Sequence, residues 1–176
     1  MIETKEIRLN LGARNKPVEG FLGMDIDPHD GIDFVGDVSD LSRFKDESVS
    51  EILASHILEH FPHPRTLAVL REWHRVLISG GRLLIAVPDL SRAMDIYKKF
   101  GQSDWLIRWL WGDQEYKTAY HYVGFDEDRL TGLLLSAGFS DVFRVEELPS
   151  HAEKDCSSNV FNMDGLPVSL NMVATK

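Results

Sequence analysis

Residues 82–87 are aliphatic at every position after Arg82, and Pro88 closes the run. A strand that alternates apolar and polar side chains lies at a surface, whereas one that is apolar at successive positions is covered on both faces. The run therefore predicts a central strand of an open, mostly parallel sheet. Just upstream, Leu67, Leu70, Trp73, His74 and Leu77 recur at spacings of three and four, the stripe of a helix resting on that sheet. This helix is expected over residues 64–77, with Gly80-Gly81 as its stop.

Shorter signals surround this pair. Ile7, Leu9 and Leu11 alternate with polar residues until Gly12 breaks the pattern, and residues 21–26, 33–35 and 49–54 read as further strands. Helices are expected over residues 90–100 and 126–137. The latter has Asp126 as its N-cap, Leu130, Leu133 and Leu134 on its apolar face, and Gly138 as its stop. Strands over residues 142–148 and 170–174, with a loop at 155–167 between them, complete the set. The stretch from Leu11 to Phe21 is too short for a loop and a full helix, so the helix that usually follows a first strand is missing or reduced to a turn. No repeat and no Pro/Gly/Ser-rich linker divides the chain, so residues 1–176 read as one domain.

With 176 residues the chain can bury one sizeable core, and its 19 Lys+Arg against 28 Asp+Glu leave a formal charge of −9. That balance disfavours nucleic acid as a partner, because affinity for phosphate backbones is supplied by Lys and Arg. The single cysteine, Cys156, cannot form an internal disulfide, which fits a reducing compartment and a cytoplasmic location. The first eight residues mix Glu3, Lys5 and Glu6 with apolar side chains and do not read as a signal peptide. No run approaches the roughly 20 apolar residues that cross a bilayer, so no membrane partner is expected.

In open α/β sheets, ligands bind outside the carboxyl ends of the strands, where the strand order reverses. At one such end stands Asn10-Leu11-Gly12-Ala13-Arg14, and thirteen residues beyond Gly12, Asp25 ends the second strand. A glycine there lets the main chain approach a nucleoside closely, and a carboxylate on the neighbouring strand accepts hydrogen bonds from ribose hydroxyls. A plain turn is the commoner role of a glycine so placed.

Taken together, Gly12, Gly23-Met24-Asp25-Ile26-Asp27, Val35-Gly36-Asp37-Val38, Ser55-His56-Ile57-Leu58-Glu59-His60 and the block R-V-L-x-x-G-G-R-L-x-I-x-V-P-D from Arg75 to Asp89 form a wider pattern. Over roughly residues 7–145 it resembles class I S-adenosylmethionine-dependent methyltransferases, and most of all a small bacterial branch with a degenerate N-L-G first motif. The resemblance implies a single-domain, doubly wound, mostly parallel seven-stranded Rossmann-like sheet with a helical aromatic insertion after the fifth strand. It also implies S-adenosyl-L-methionine as cofactor. Leu11, Gly12 and Ala13 would lie beneath the methionine part, Asp25 would bind the ribose hydroxyls and Ile26 would rest against the adenine. Asp37 and Val38 would meet the adenine edge, with Ser55 and His56 near the sulfonium. Arg14 stands where such proteins usually carry a small residue, and would either pair with the cofactor carboxylate or partly obstruct the loop.

The reaction expected from the resemblance is methyl transfer to a small-molecule or saccharide-like acceptor, with His60 or His121 as the base, since an unperturbed imidazole titrates near neutrality. A catalytically silent, methyltransferase-like binding protein is the alternative. A zinc hydrolase is the third reading, because His56 to His60 fits H-x-x-E-H; against it, Phe61-Pro62-His63-Pro64 interrupts the helix such a site needs, and no metal is expected. Residues 97–122 hold all four tyrosines and three of the four tryptophans, with Trp105 and Trp109 on one helix face. Core packing of an inserted helical pair, a lid or acceptor wall over the strand ends, and a homodimer interface are three readings of this segment.

Overall fold

The computed structural model describes residues 6–14, 17–149 and 166–176. Seven strands, β1 (Ile7–Leu11), β2 (Leu22–Asp25), β3 (Phe34–Val35), β4 (Val49–Ser55), β5 (Leu77–Pro88), β6 (Ser140–Val145) and β7 (Ser169–Thr175), form one sheet in the order β3-β2-β1-β4-β5-β7-β6. The first five run parallel, and β7 lies antiparallel between β5 and β6. This is the mostly parallel, doubly wound α/β architecture that the pattern of strands and helices implies. The chain lays β1, β2 and β3 outward in one direction, then returns to pair β4 with the free side of β1. The order reverses between β1 and β4, and their carboxyl ends frame the crevice where such sheets take ligands.

One face of the sheet is covered by α1 (His63–Val76) and α4 (Glu127–Ala137), which pack against each other. Leu9, Leu11, Ile52, Ile85 and Met172 from the strands close on Leu70, Trp73, Leu130 and Leu134 from the helices. Trp73 is fully buried, and its indole N–H donates to the Val38 carbonyl at 2.9 Å, so the largest core side chain leaves no polar atom unsatisfied. On the other face, Leu53, Leu84, Ala86 and Val173 pack with Val18, Phe21 and Leu148. Buried Glu51 ion-pairs there with Arg8 on one side and Arg82 on the other, so its charge is compensated twice. Among the described residues of the β1–β2 connection there is no helix, as its length demands.

The first helix ends earlier than its glycines suggest. Leu77 is already extended and pairs with Val49, so α1 stops at Val76. Gly80-Gly81 instead form an irregularity inside β5, where the register against β4 shifts: Gly80 takes φ +76°, and a Cβ on Gly81 would meet the Ile78 carbonyl oxygen at 2.9 Å. The glycines serve a bulge in a strand.

The connection from β5 to α4 carries α2 (Leu90–Phe100), α3 (Asp104–Trp111) and a 3₁₀ turn over Lys117–Ala119. Trp105 and Trp109 stack at 5.5 Å between ring centroids and pack, partly buried, on a small core of Ala93, Ile96, Leu106 and Val168. Core packing thus accounts for these two tryptophans, whereas Tyr97, Trp111, Tyr116, Tyr120 and Tyr122 are exposed. The loop expected at 155–167 falls, up to residue 165, outside the described residues, as does Cys156. No described helix is long and apolar enough to cross a membrane.

Candidate functional site

The turn after β1 folds over the end of β2. The N–H groups of Gly12 and Ala13 donate to the Met24 carbonyl at 2.8 and 3.2 Å, and the Arg14 N–H donates to Asp25 Oδ2 at 2.8 Å. Asp25 Oδ1 accepts the Asp27 N–H at 3.1 Å. A carboxylate oxygen has two acceptor positions, so one remains on each oxygen of this largely buried side chain. Gly12 and Asp25 are therefore neighbours, as the sequence suggests.

The reason Gly12 must be glycine lies inside the chain. It takes φ +70°, and a Cβ there would fall 1.9 Å from Cδ1 of Ile57, the residue that follows His56 at the end of β4. The glycine thus lets β4's exit loop close onto β1's, and its missing side chain does not itself point to a ligand. Leu11, Ala13 and Val38 belong to the core, so each offers a ligand only its main chain. Ile26 and Asp37 are exposed, and the Gly36 N–H, donating to the Asp25 carbonyl at 2.8 Å, holds their two loops together. Beside Asp37 a cavity of about 330 Å³ opens, lined by Met24, Gly36, Asp40, Ser42 and Arg43. Arg14 sits at φ +46°, and its guanidinium donates to the Tyr116 hydroxyl at 2.8 Å, tying the β1 loop to the aromatic segment.

At the carboxyl end of β4, Ser55 is half-buried and His56 adopts φ +55°. The His56 N–H donates to the Ala86 carbonyl at 2.8 Å, and the ring lies 5.2 Å from that of Trp109. Its Nδ1 donates to Glu59 Oε1 at 3.2 Å, while Nε2 pairs with the Ser169 hydroxyl at 2.9 Å. The zinc-hydrolase reading fails on this geometry. Residues Leu58–His60 form a single 3₁₀ turn followed by extended Phe61, so no helix aligns His56 with His60, and both nitrogens of His56 are occupied.

A second cluster forms where this turn meets the segment after α3. The Tyr122 N–H donates to the Glu59 carbonyl at 2.8 Å, and His121 comes to 4.7 Å from His60, ring centroid to ring centroid. Gly112 permits the approach: a Cβ on it would lie 1.9 Å from the Ala119 carbonyl oxygen. His60 Nδ1 donates to the Tyr120 carbonyl and His121 Nδ1 to the Trp109 carbonyl, each at 3.0 Å. Those contacts place a proton on Nδ1, so that in the neutral tautomer the lone pair of each ring lies on Nε2. Glu59 is fully buried, and its Oε2 has no hydrogen-bond partner among the described residues. Burial pushes its carboxyl up, but the hydrogen bond from His56 and the nearby imidazoles of His56, His60 and His121 outweigh that and hold it below the usual range. Burial pushes His121 below the ordinary imidazole value; His60 adds to this and Glu59 opposes it.

Of the residues that gather here, Ser169 is one that sequence reasoning does not single out, Glu59 enters it only within H-x-x-E-H, and Trp109 and Tyr116 only as part of the aromatic segment. Glu59 had a signal, three residues after His56 inside the H-x-x-E-H string, whereas Tyr116 and Ser169 approach only through tertiary folding.

This fold, with its crevice at the β1/β4 reversal, is that of the Rossmann-like methyltransferases. The methyltransferase domain family matches residues 14–85, from the β1 loop into β5. The fold is shared with an S-adenosylmethionine-dependent methyltransferase of Archaeoglobus fulgidus (TM-score 0.64, 13% identity, 97% of this chain and 86% of that one). It is shared also with one of Methanosarcina mazei (TM-score 0.62, 19% identity, 97% and 92% of the two chains). A third is the 1,6-didemethyltoxoflavin-N1-methyltransferase of Burkholderia thailandensis, whose structure holds S-adenosylhomocysteine and 1,6-didemethyltoxoflavin (TM-score 0.62, 20% identity, 97% and 70%). No protein of curated function matches the sequence.

Proposed function

We propose that this protein is an S-adenosylmethionine-dependent methyltransferase acting on a small-molecule or saccharide-like acceptor. The observation that carries this is the placement of Asp25 under the β1 loop at the strand-order reversal, with one acceptor position left on each oxygen. That is the arrangement a ribose diol requires. The S-adenosylhomocysteine held by the Burkholderia protein of the same fold supports the same choice of cofactor.

The cofactor would be held by Asp25 at the ribose, by Ile26 and Asp37 with the Val38 main chain around the adenine, and by the main chain of residues 11–13, with Ser55 and His56 at the far side. It supplies a methyl group on a sulfonium that is already a good leaving group, so the chain's task is alignment and exclusion of water. Exposed Tyr116, Tyr120 and Tyr122 stand on the segment that bears His121 and give flat apolar faces edged with hydroxyls, a surface suited to stacking a saccharide-like ring. His60 or His121, each with Nδ1 bound to a main-chain carbonyl, takes the acceptor's proton on Nε2.

The test is to incubate the protein with S-adenosylmethionine and a panel of phenols, sugars and amines, following S-adenosylhomocysteine by chromatography. His60→Ala and His121→Ala are each expected to lower turnover by about 100-fold or more while retaining S-adenosylhomocysteine affinity. Full activity in both variants would remove the pair from the mechanism, and failure to bind the cofactor or its product would favour a silent binding protein.

A further inference from the structure

The three groups that meet where the Leu58–His60 turn touches the segment after α3 are more than a base and its neighbours. Glu59, His60 and His121 each offer one ligand atom, and the three atoms lie within 4.8 Å of one another. Two ligands of a common Zn²⁺ stand roughly 3.3 Å apart at the usual bond lengths, a distance that small side-chain rotations would close. Two independent features mark this as a built site. Glu59 is fully buried, yet its Oε2 has no hydrogen-bond partner among the described residues, a costly state for a carboxylate oxygen unless something positive or protonated meets it. Both imidazoles are also pre-oriented, because each donates Nδ1–H to a main-chain carbonyl, Tyr120 and Trp109 respectively, leaving Nε2 as the coordinating atom. A backbone carbonyl behind the distal nitrogen is the support that metal-bound histidines ordinarily have. His56 occupies the other carboxylate oxygen, its Nδ1–H donating to Glu59 Oε1 at 3.2 Å, so Oε2 is the oxygen left to coordinate.

We infer that Glu59, His60 and His121 form a binding site for a divalent transition-metal ion. Two imidazoles and one carboxylate select zinc, manganese, cobalt or iron over magnesium or calcium, which prefer all-oxygen shells. Three protein ligands leave coordination positions open, as in sites that bind a substrate oxygen. If the methyl-transfer reading above holds, an acceptor hydroxyl reaching such an ion loses its proton more easily. The histidine pair would then serve as ligands, with the ion in the role given above to an imidazole base. Binding of the ion does not depend on that reading.

Calorimetric titration of EDTA-stripped protein with ZnCl₂ tests the site, with visible absorption on CoCl₂ addition as a second readout. One equivalent is expected to bind the native chain, with d–d bands of a low-symmetry Co²⁺ site. Glu59→Gln, which keeps the side-chain shape, and His121→Ala are each expected to weaken binding at least 30-fold and abolish those bands. His29→Ala, an exposed residue of the Asp25/Asp27/His29 group, should leave both unchanged. Absence of a stoichiometric site in the native chain, or binding undiminished in Glu59→Gln and His121→Ala, would overturn the inference. S-adenosylhomocysteine titrated in parallel separates the two proposals: zinc bound without it sinks the methyltransferase reading alone, and the reverse sinks the metal site alone.

Discussion

Gly12 shows how two demands of the fold can fix one residue at once. Its Cα supports both a left-handed turn and the close approach of Ile57, so Gly12→Ala meets strain and a collision together. The left-handed conformation alone costs an L-residue roughly 1–2 kcal/mol, and displacement of Ile57 adds to it. Chemical denaturation is expected to show a loss of about 2–3 kcal/mol, falling to about 1 kcal/mol when Gly12→Ala is made in an Ile57→Ala background. Equal losses in both backgrounds would show that the collision does not matter. His74 gives a pH signature remote from the crevice. Its ring packs edge-on to Phe139, and burial, helped by the nearby Lys176, holds it below the ordinary imidazole value of about 6.5, against a smaller opposing effect of a backbone hydrogen bond at Gly138. The unfolded chain therefore takes up a proton first as the pH falls. Stability that is full above about 6.5 is lost as the pH drops from there through the depressed folded-state value. Denaturation midpoints at pH 7.5 and 5.5 should differ less in His74→Leu than in the native chain.

The elements depend on contacts that periodicity alone does not reveal. Arg75, in the last turn of α1, donates to both oxygens of Glu72, to Asp46, and to the carbonyls of Leu41 and Phe44, and so clamps the β3–β4 connection against the helix. Replacing it with Met keeps the apolar stem and strands those acceptors, for an expected loss of about 1–3 kcal/mol by denaturant titration. A change below about 0.3 kcal/mol would reduce the clamp to a surface ion pair. The same helix shows where sequence reading succeeds and where it stops. The stripe through Leu70 and Trp73 identified α1 because burial against the sheet imposes the 3.6 period directly. Its end falls at Val76, one residue before the expected Leu77, whereas Gly80-Gly81, expected as its stop, carry equal local signals for a helix stop and a strand bulge. Only the pairing of Leu77 with Val49 separates them. Likewise Asp126 and Gly138 marked α4 well, since each acts on its own helix, the former by accepting the Arg129 N–H at 2.8 Å.

At the scale of the molecule, the aliphatic β5 run and the alternation of strands and helices made the doubly wound sheet legible, because burial on two faces leaves an unmistakable composition. Gly12 and Asp25 were legible too, since both lie at strand ends whose positions follow from that sheet. The Glu59–His60–His121 meeting was not, because it joins segments about 60 residues apart through Gly112 and a main-chain hydrogen bond, and nothing local records it. The central claim is that the β1/β4 crevice binds the methyl donor through Asp25. Isothermal titration with S-adenosylhomocysteine, on the native chain and on an Asp25→Ala variant shown by thermal unfolding to be folded, tests it directly. Binding of one equivalent to the native chain, weakened 30-fold or more in the variant, is the expected result; undiminished binding in the variant, or none in the native chain, would contradict it.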